Sequence, residues 1–219
     1  MKTITRRDFL ISTASAAMAL TGCSTVRSSK PPFTISLAEW SFNRAIRANR
    51  MTTLDFPVVA RRDYGIDAVE YVNQLFMDKA MDTAYLRELK SRCEGEGVES
   101  LLIMCDREGA LGDPDPARRR TAVENHYKRA EAARFLGCHS IRVNAQSSGT
   151  YEEQSERAAD GLRQLSEFGA KLKLNVIVEN HGGYSSNGKW LAATIRRVGL
   201  KNCGTLPDFG NFHVARNRG

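Results

Sequence analysis

From Thr34 onward the chain alternates short apolar runs with longer segments in which apolar residues recur every three or four positions. Those are the periods that distinguish buried strands from amphipathic helices. The apolar runs begin near residues 34, 68, 100, 140, 175 and 204, and read ISLA, AVEYV, SLLIM, SIRVN, NVIVEN and GTLPD. The intervals, about 35 residues, accommodate one strand, one crossover helix and two loops, so the pattern predicts repeated βα units and a parallel sheet. Each run is apolar throughout rather than alternating, as expected when both sheet faces are covered.

The helical segments carry their own punctuation. Helices are expected to end at Gly65, Gly97, Gly137 and Gly199, because the residue after a helix often adopts a left-handed conformation that glycine tolerates. Thr150 with Glu153 makes a capping box, Asp115-Pro116 a cap with proline in the first turn, and Asn187 a further cap. Leu86, Leu89 and Cys93 form one stripe; Ala158, Leu162, Leu165 and Leu172 a second; Leu191, Ile195 and Val198 a third. Helical spacing of this kind marks faces packed into a core.

Consecutive right-handed crossovers of equal length curl a sheet into a barrel, which eight units close. This chain supplies about six, so the expected fold is an α/β protein, a (β/α)8 TIM barrel represented in part over residues 33–219. The first βα turn, TISLAEWSFNRAI, lacks the glycine-rich phosphate fingerprint of a doubly wound open sheet.

Residues 1–22 stand apart from this repeat. Arg6 and Arg7 are followed by Phe9-Leu10 and by an apolar run to Leu20, too short to span a bilayer. The arginine pair resembles a twin-arginine export signal, and Leu20-Thr21-Gly22-Cys23 resembles a lipobox in which Cys23 is acylated. Residues 23–32 then read as a tether rich in Ser, Lys and Pro. The expectation is an exported protein, periplasmic or held at a membrane by a lipid anchor.

With 32 basic against 25 acidic residues the whole chain carries a net charge of +7. Its arginines are scattered over helices, which argues for solvated faces and against a nucleic-acid groove. The cysteines at 93, 105, 138 and 203 have no ligand-like spacing and read as buried thiols.

Chemistry is expected where apolar runs stop on an acid. Glu179 closes the fifth run, in NVIVENHGG, and Asp208 follows the sixth, in GTLPDFGNF; parallel sheets present functional side chains at the carboxyl ends of their strands. ISLAEWSF, GIDAVEY, SIRVN, VIVENHGG and PDFGNF, in this order over residues 34–212, resemble the sugar phosphate isomerase/epimerase superfamily, the xylose isomerase-like TIM barrels that also include endonuclease IV. The resemblance implies a divalent ion held by Glu179 and Asp208, with a histidine and a glutamate from strands seven and eight that have no counterpart here. Hard oxygen donors suit Mn²⁺ or Mg²⁺, and an imidazole ligand admits Zn²⁺ or Co²⁺. It also implies that Glu179 is one of two proton-transferring acids.

Neighbouring positions are candidates for substrate contact. His181 either hydrogen-bonds a hydroxyl or fixes the loop backbone. Asn211 stands where relatives carry a second histidine, and suits substrate orientation better than metal binding. Trp40 is a wall against a sugar ring or packing; Asn144 lies at rim level; Glu70 reads as a structural hydrogen-bonding acid as much as a substrate contact. His126 and His139 are placed on the side away from catalysis.

These features favour a metal-dependent isomerase or epimerase moving a proton on an unphosphorylated sugar or keto-sugar through an enediolate. A lyase or hydrolase acting on 3-keto-glycosides shares that site. A non-catalytic carbohydrate-binding lipoprotein, or an inactive fragment lacking strands seven and eight, is a third expectation, and an oligomer is compatible with all of them. A zinc nuclease is disfavoured by only four histidines and by Asn211.

Overall fold

The computed structural model describes residues 33–213, so Arg6, Arg7, Cys23 and the tether up to residue 32 lie outside the described residues. The chain divides into two units, Met1–Thr34 and Ile35–Gly219, and the fold belongs to the second. Its strands are β1 (Leu37–Ala38), β2 (Ala68–Val72), β3 (Glu99–Met104), β4 (Ser140–Asn144), β5 (Asn175–Glu179) and β6 (Cys203–Leu206). They form one sheet in sequence order, β1 to β6, with every neighbouring pair parallel. Six helices lie between them: α1 (Asn43–Arg47), α2 (Phe56–Tyr64), α3 (Thr83–Glu96), α4 (Pro116–Leu136), α5 (Tyr151–Lys171) and α6 (Gly188–Val198). This is the six-unit portion of a (β/α)8 barrel that the repeat predicts.

Local chemistry places the boundaries. The glycines after α2, α3, α4 and α6 all have positive φ, from 65° to 91°, and each donates its N–H back to the closing turn. The Thr150–Glu153 capping box is formed in both directions. Asp115 and Asn187 accept the first free N–H groups of α4 and α6. All four cysteines of the described unit are buried and free.

Two expectations need correction. The first strand is confined to Leu37–Ala38 instead of starting at Thr34; β2 is its sole partner among the described residues, and Ile35 is exposed. A ladder with one partner and no apolar cover on its outer end does not extend. Nor are the strands uniformly apolar: β2 carries Glu70, which borders a cleft, and β4 carries a buried Arg142.

Register explains why those charges share a surface. In-register partners of parallel strands project to the same face, and alternate residues of one strand to opposite faces. Val72 pairs with Met104, Met104 with Arg142, and Arg142 with Ile177; one step higher, Asn144 pairs with Glu179 and Glu179 with Leu206. Residues of the opposite set, Tyr71, Ile103, Ile141, Val143, Val176 and Val178, are fully buried in a continuous core against the helices. Only Val72, Leu102 and Met104 form a buried apolar cluster on the inner side.

The sheet is curled. Ala38 and Trp40 from the β1 end and Leu206 and Asp208 from the β6 end line one cleft of about 750 Å³. In a flat sheet, five inter-strand steps would separate those strands by about 24 Å.

Candidate functional site

The cleft opens at the carboxyl ends of the strands, where the inner face turns from apolar to charged. Its floor is Val72, Met104 and Leu206; its polar wall includes Glu70, Asp106, Arg142, Asn144, Glu179 and Asp208.

Glu179 and Asp208 converge there. Glu179 is buried at the last position of β5. Asp208 is exposed, but its backbone is clamped: Asp208 N donates to Asn180 Oδ1 at 2.7 Å, and Asn180 Nδ2 donates to the Asp208 carbonyl at 2.8 Å. The buried Asn180 of the NVIVENHGG stretch therefore sets the loop after β6 against the end of β5. Asp208 Oδ1 accepts from Gly210 N at 2.7 Å, leaving Oδ2 toward the Asn211 amide at 3.0 Å. The same Asn211 Nδ2 is 3.4 Å from Glu179 Oε1. One donor thus faces both carboxylates.

Arg142 holds the other side of Glu179. Its Nε lies 2.7 Å from Glu179 Oε2 and its Nη1 2.8 Å from Asp106 Oδ1. The first contact is an ion pair and not a directed hydrogen bond, since Nε makes none. Asp106 also accepts from Asn144 Nδ2 at 2.8 Å and Gln74 Nε2 at 3.1 Å. Burial alone would raise the Asp106 carboxyl, but Arg142, Asn144 and Gln74 outweigh it and hold its pKa below the usual carboxylate range.

The remaining positions fall as follows. Trp40 is partly exposed on the cleft wall, with the Arg47 guanidinium 5.5 Å from its ring centre. Glu70 borders the cleft and accepts from Ser36 Oγ at 2.6 Å. His181 is exposed, borders both this cleft and a smaller cavity beside Tyr184, and donates its backbone N–H to the Glu179 carbonyl at 2.9 Å. Asn144 lines the cleft, and its Oδ1 is buried without a partner. His139 is exposed just before β4, at the opposite end of the strand from the cleft. His126 departs from expectation: although it belongs to α4, it lines a side cavity that shares Arg107, Asn144 and Gln146 with the cleft. The α4 face that carries it also covers the loop after β3, where Gly109 packs on Ala122.

Sequence reasoning passed over three charged groups. Asp106 follows β3 as Glu179 ends β5 and would have been found by applying the strand-end criterion to every strand. Arg142 sits inside an apolar run, and its acidic partners are distant in sequence. Glu39, directly after β1, is completely buried, accepts from Val72 N at 2.8 Å, and has a second oxygen without a partner. Burial pushes its carboxyl up to about 7, against the opposing pull of the nearby Thr53 hydroxyl, which makes no directed hydrogen bond, and of the Val72 N–H.

The geometry bears on whether a divalent cation fits between these carboxylates. Two hard carboxylate oxygens facing one positively polarised amide form the kind of point that a Mn²⁺ or Mg²⁺ ion takes. Among the described residues no group of three or more His, Cys, Asp or Glu is close enough to hold a metal. Glu179 and Asp208 therefore supply two oxygen donors of the hard type, fewer than the octahedral set such an ion takes.

Comparison with known proteins agrees with this architecture. A family model described as xylose isomerase-like TIM barrel matches residues 58–219. Similar solved structures include a probable 3-DHS dehydratase, AsbF, from Bacillus anthracis, at 15% identity and TM-score 0.65, covering 82% of this chain and 64% of that one. The IOLI protein with a bound zinc atom gives 15% identity and TM-score 0.67, with coverage of 83% and 64%. The 3-keto-D-glucoside 4-epimerase YcjR from E. coli gives 18% and 0.63, with coverage of 76% and 66%. The chain thus spans just under two thirds of the length of these structures, and identities this low speak to fold. No curated protein matches the sequence significantly.

Proposed function

The chain belongs to the xylose isomerase-like TIM barrel family, and from that premise we propose that its cleft serves metal-dependent isomerisation or epimerisation of an unphosphorylated sugar or keto-sugar. The observation that carries this reading is the shared approach of Glu179 and Asp208 to Asn211 Nδ2, at 3.4 and 3.0 Å. The names of the similar structures, which include sugar epimerases and a dehydratase, support the reaction class.

Glu179 and Asp208 would hold the ion, with further ligands from outside the described set. Bound there, the ion supplies Lewis acidity to adjacent oxygens of a hydroxy-ketone. Glu179 takes the proton from the carbon beside the carbonyl, giving an enediolate, and returns it to the neighbouring carbon while the hydroxyl proton passes to the former carbonyl oxygen, which yields the isomer. Inversion to an epimer needs a second acid on the opposite face, which none of the described residues named here supplies. Arg142 fixes Glu179 from the side away from Asn211, so that Glu179 Oε1 is the oxygen left toward the cleft. Asn211 and His181 offer hydrogen bonds to substrate hydroxyls, and Trp40 presents an apolar ring to a sugar face. Glu70, held by Ser36, closes the wall below Trp40.

A lyase acting on 3-keto-glycosides uses the same proton abstraction and is favoured, as a second reading, by the side cavities that adjoin the cleft. Arg6-Arg7 and Cys23 support export and lipid anchoring as part of the proposal.

The test is solvent deuterium incorporation into candidate ketoses and keto-glycosides by the full chain, first stripped of metal and then supplied with Mn²⁺. Metal-restored exchange, abolished in Glu179→Gln, is expected. Absence of exchange with every ketose and keto-glycoside sinks the proton-transfer reading.

A further inference from the structure

Beside the cleft lies a second polar cavity of about 360 Å³, between the loops that follow β3 and β4 and the flank of α4. Both spaces are of the size that ligand sites occupy, and they share Arg107, Asn144 and Gln146. Two groups at this junction have unused hydrogen-bonding or charge capacity.

The first is Arg107. Its sequence neighbours are acids, but both are taken: Asp106 by Arg142, and Glu108 by Arg129 at 2.6 Å with Lys128 at 3.5 Å. Arg107 is exposed and has no ion-pair partner among the described residues. Its backbone has φ of 61°, a conformation uncommon for a residue with a Cβ and concentrated at functional sites.

The second is His126, which is buried. Its Nδ1 lies 2.7 Å from the Ala122 carbonyl oxygen. A carbonyl only accepts, so Nδ1 carries the proton, and in the neutral ring Nε2 is left as an acceptor. Burial lowers the pKa of this imidazole despite the Ala122 bond, which keeps the ring neutral at pH 7.

One cation beside an acceptor that lacks a donor makes a better site for a hydroxylated anion than for a simple one. We infer that the side cavity is a second sugar subsite that takes an acidic ring of the uronate class, with its carboxylate at Arg107 and a hydroxyl donating to His126 Nε2. The inference rests on the cleft being a sugar site, since the reacting ring would lie over Glu179 and Asp208 while its neighbour enters the cavity.

The experiment compares D-glucuronate and D-glucose as probes of the full chain, by ligand-observed NMR titration, with and without Arg107→Gln. The side-chain ¹⁵N resonances of His126 are followed in the same samples. Glucuronate is expected to bind at least about tenfold tighter than glucose. Arg107→Gln should remove that preference, and Arg107→Lys restore part of it. His126 Nε2 should shift as glucuronate binds. Arg107 is exposed, so its replacements should leave folding intact. Equal affinity for the two sugars, no binding of either, a preference that survives Arg107→Gln, or a stationary Nε2 resonance each overturns the inference. None of these readings requires turnover, so failure of deuterium exchange with a clear uronate preference removes the reaction assignment alone.

Discussion

The same six strands make two unlike surfaces. On the outer face, Val69, Tyr71, Ile103, Ile141, Val143, Val176 and Val178 are fully buried against the helices. On the inner face, buried apolar packing is limited to Val72, Leu102 and Met104, with partly buried Ala38, Leu75, Ile177 and Leu206 beside them. Arg142 stands level with Val72 and Met104, and Glu179, Asp106 and Asn144 complete a polar rim with it. Burial of apolar area drives folding roughly in proportion to the area removed from water, so stability resides in the outer face. The inner face, relieved of that task, carries polar groups in geometries that a close-packed core would exclude.

The sharpest way to break the comparison is to truncate one residue on each side. Leu162 of α5 is completely buried in the outer core; Leu162→Ala should cost about 4 kcal/mol, transfer and cavity terms combined. Ile177, partly buried on the inner face, should lose only about 1 kcal/mol as Ile177→Ala, because part of its surface already meets solvent. Equal losses in denaturant melts would mean that both faces hold the fold together.

Arg142→Met comes next. It leaves Asp106 and Glu179 without their cation. Breaking a buried pair costs about 3–5 kcal/mol, but the Asp106 and Glu179 side chains retain 18% and 11% exposure, so about 2–3 kcal/mol is expected here. Adding Asp106→Asn should recover part of the loss by removing one of the two facing charges. If Arg142→Met leaves the melt unchanged, the rim is looser than the distances indicate.

The outer face was far more legible in the sequence than the inner one, and the reason is range. A glycine after a helix, the Thr150–Glu153 cap and the Leu86, Leu89, Cys93 stripe are each specified within a few residues, so periodicity and capping rules recover them. Glu179 and Asp208 were legible for a related reason, since each sits where an apolar run ends. Arg142 was not: its contacts with Asp106 and Glu179 join residues 36 and 37 positions away, across strand pairs whose register must first be known. His126 was misjudged because a helix position says which turn it occupies but not what the loop after β3 leaves open beside it. The short β1 reflects the same limit, since Thr34–Ser36 read as the start of a strand but have no second neighbour among the described residues to extend it.

Glu39 offers a pH test of the boundary between the faces. Its folded-state pKa is raised from 4.5 to about 7. The folded protein therefore keeps this proton while the unfolded chain has already released it, so stability should fall as pH rises from 4.5 to 7 and level off above. Glu39→Gln, which retains an acceptor for Val72 N, should flatten that slope and be more stable than the parent above pH 7 by ~2 kcal/mol. Parallel pH profiles for the two proteins would show that Glu39 ionises freely in the fold.

The smallest structural effect belongs to the position with the largest proposed functional one. Asp208 is exposed, and its backbone is held through Asn180 and not through its own carboxylate. Asp208→Asn keeps an oxygen for Gly210 N and removes only the charge. Surface changes of this kind stay within about 0.5 kcal/mol, so the melting curve should barely move. Loss of one of two hard oxygen ligands should nevertheless weaken Mn²⁺ binding at least about tenfold, corresponding to about 1.4 kcal/mol, as read by electron paramagnetic resonance titration of free Mn²⁺. Arg142→Met predicts the reverse signature, a destabilised fold in which the Asp208 and Asn211 side of the cleft is intact. If both variants instead lose stability and metal together, the rim and the core form one cooperative unit, and the division of labour between the two faces does not hold.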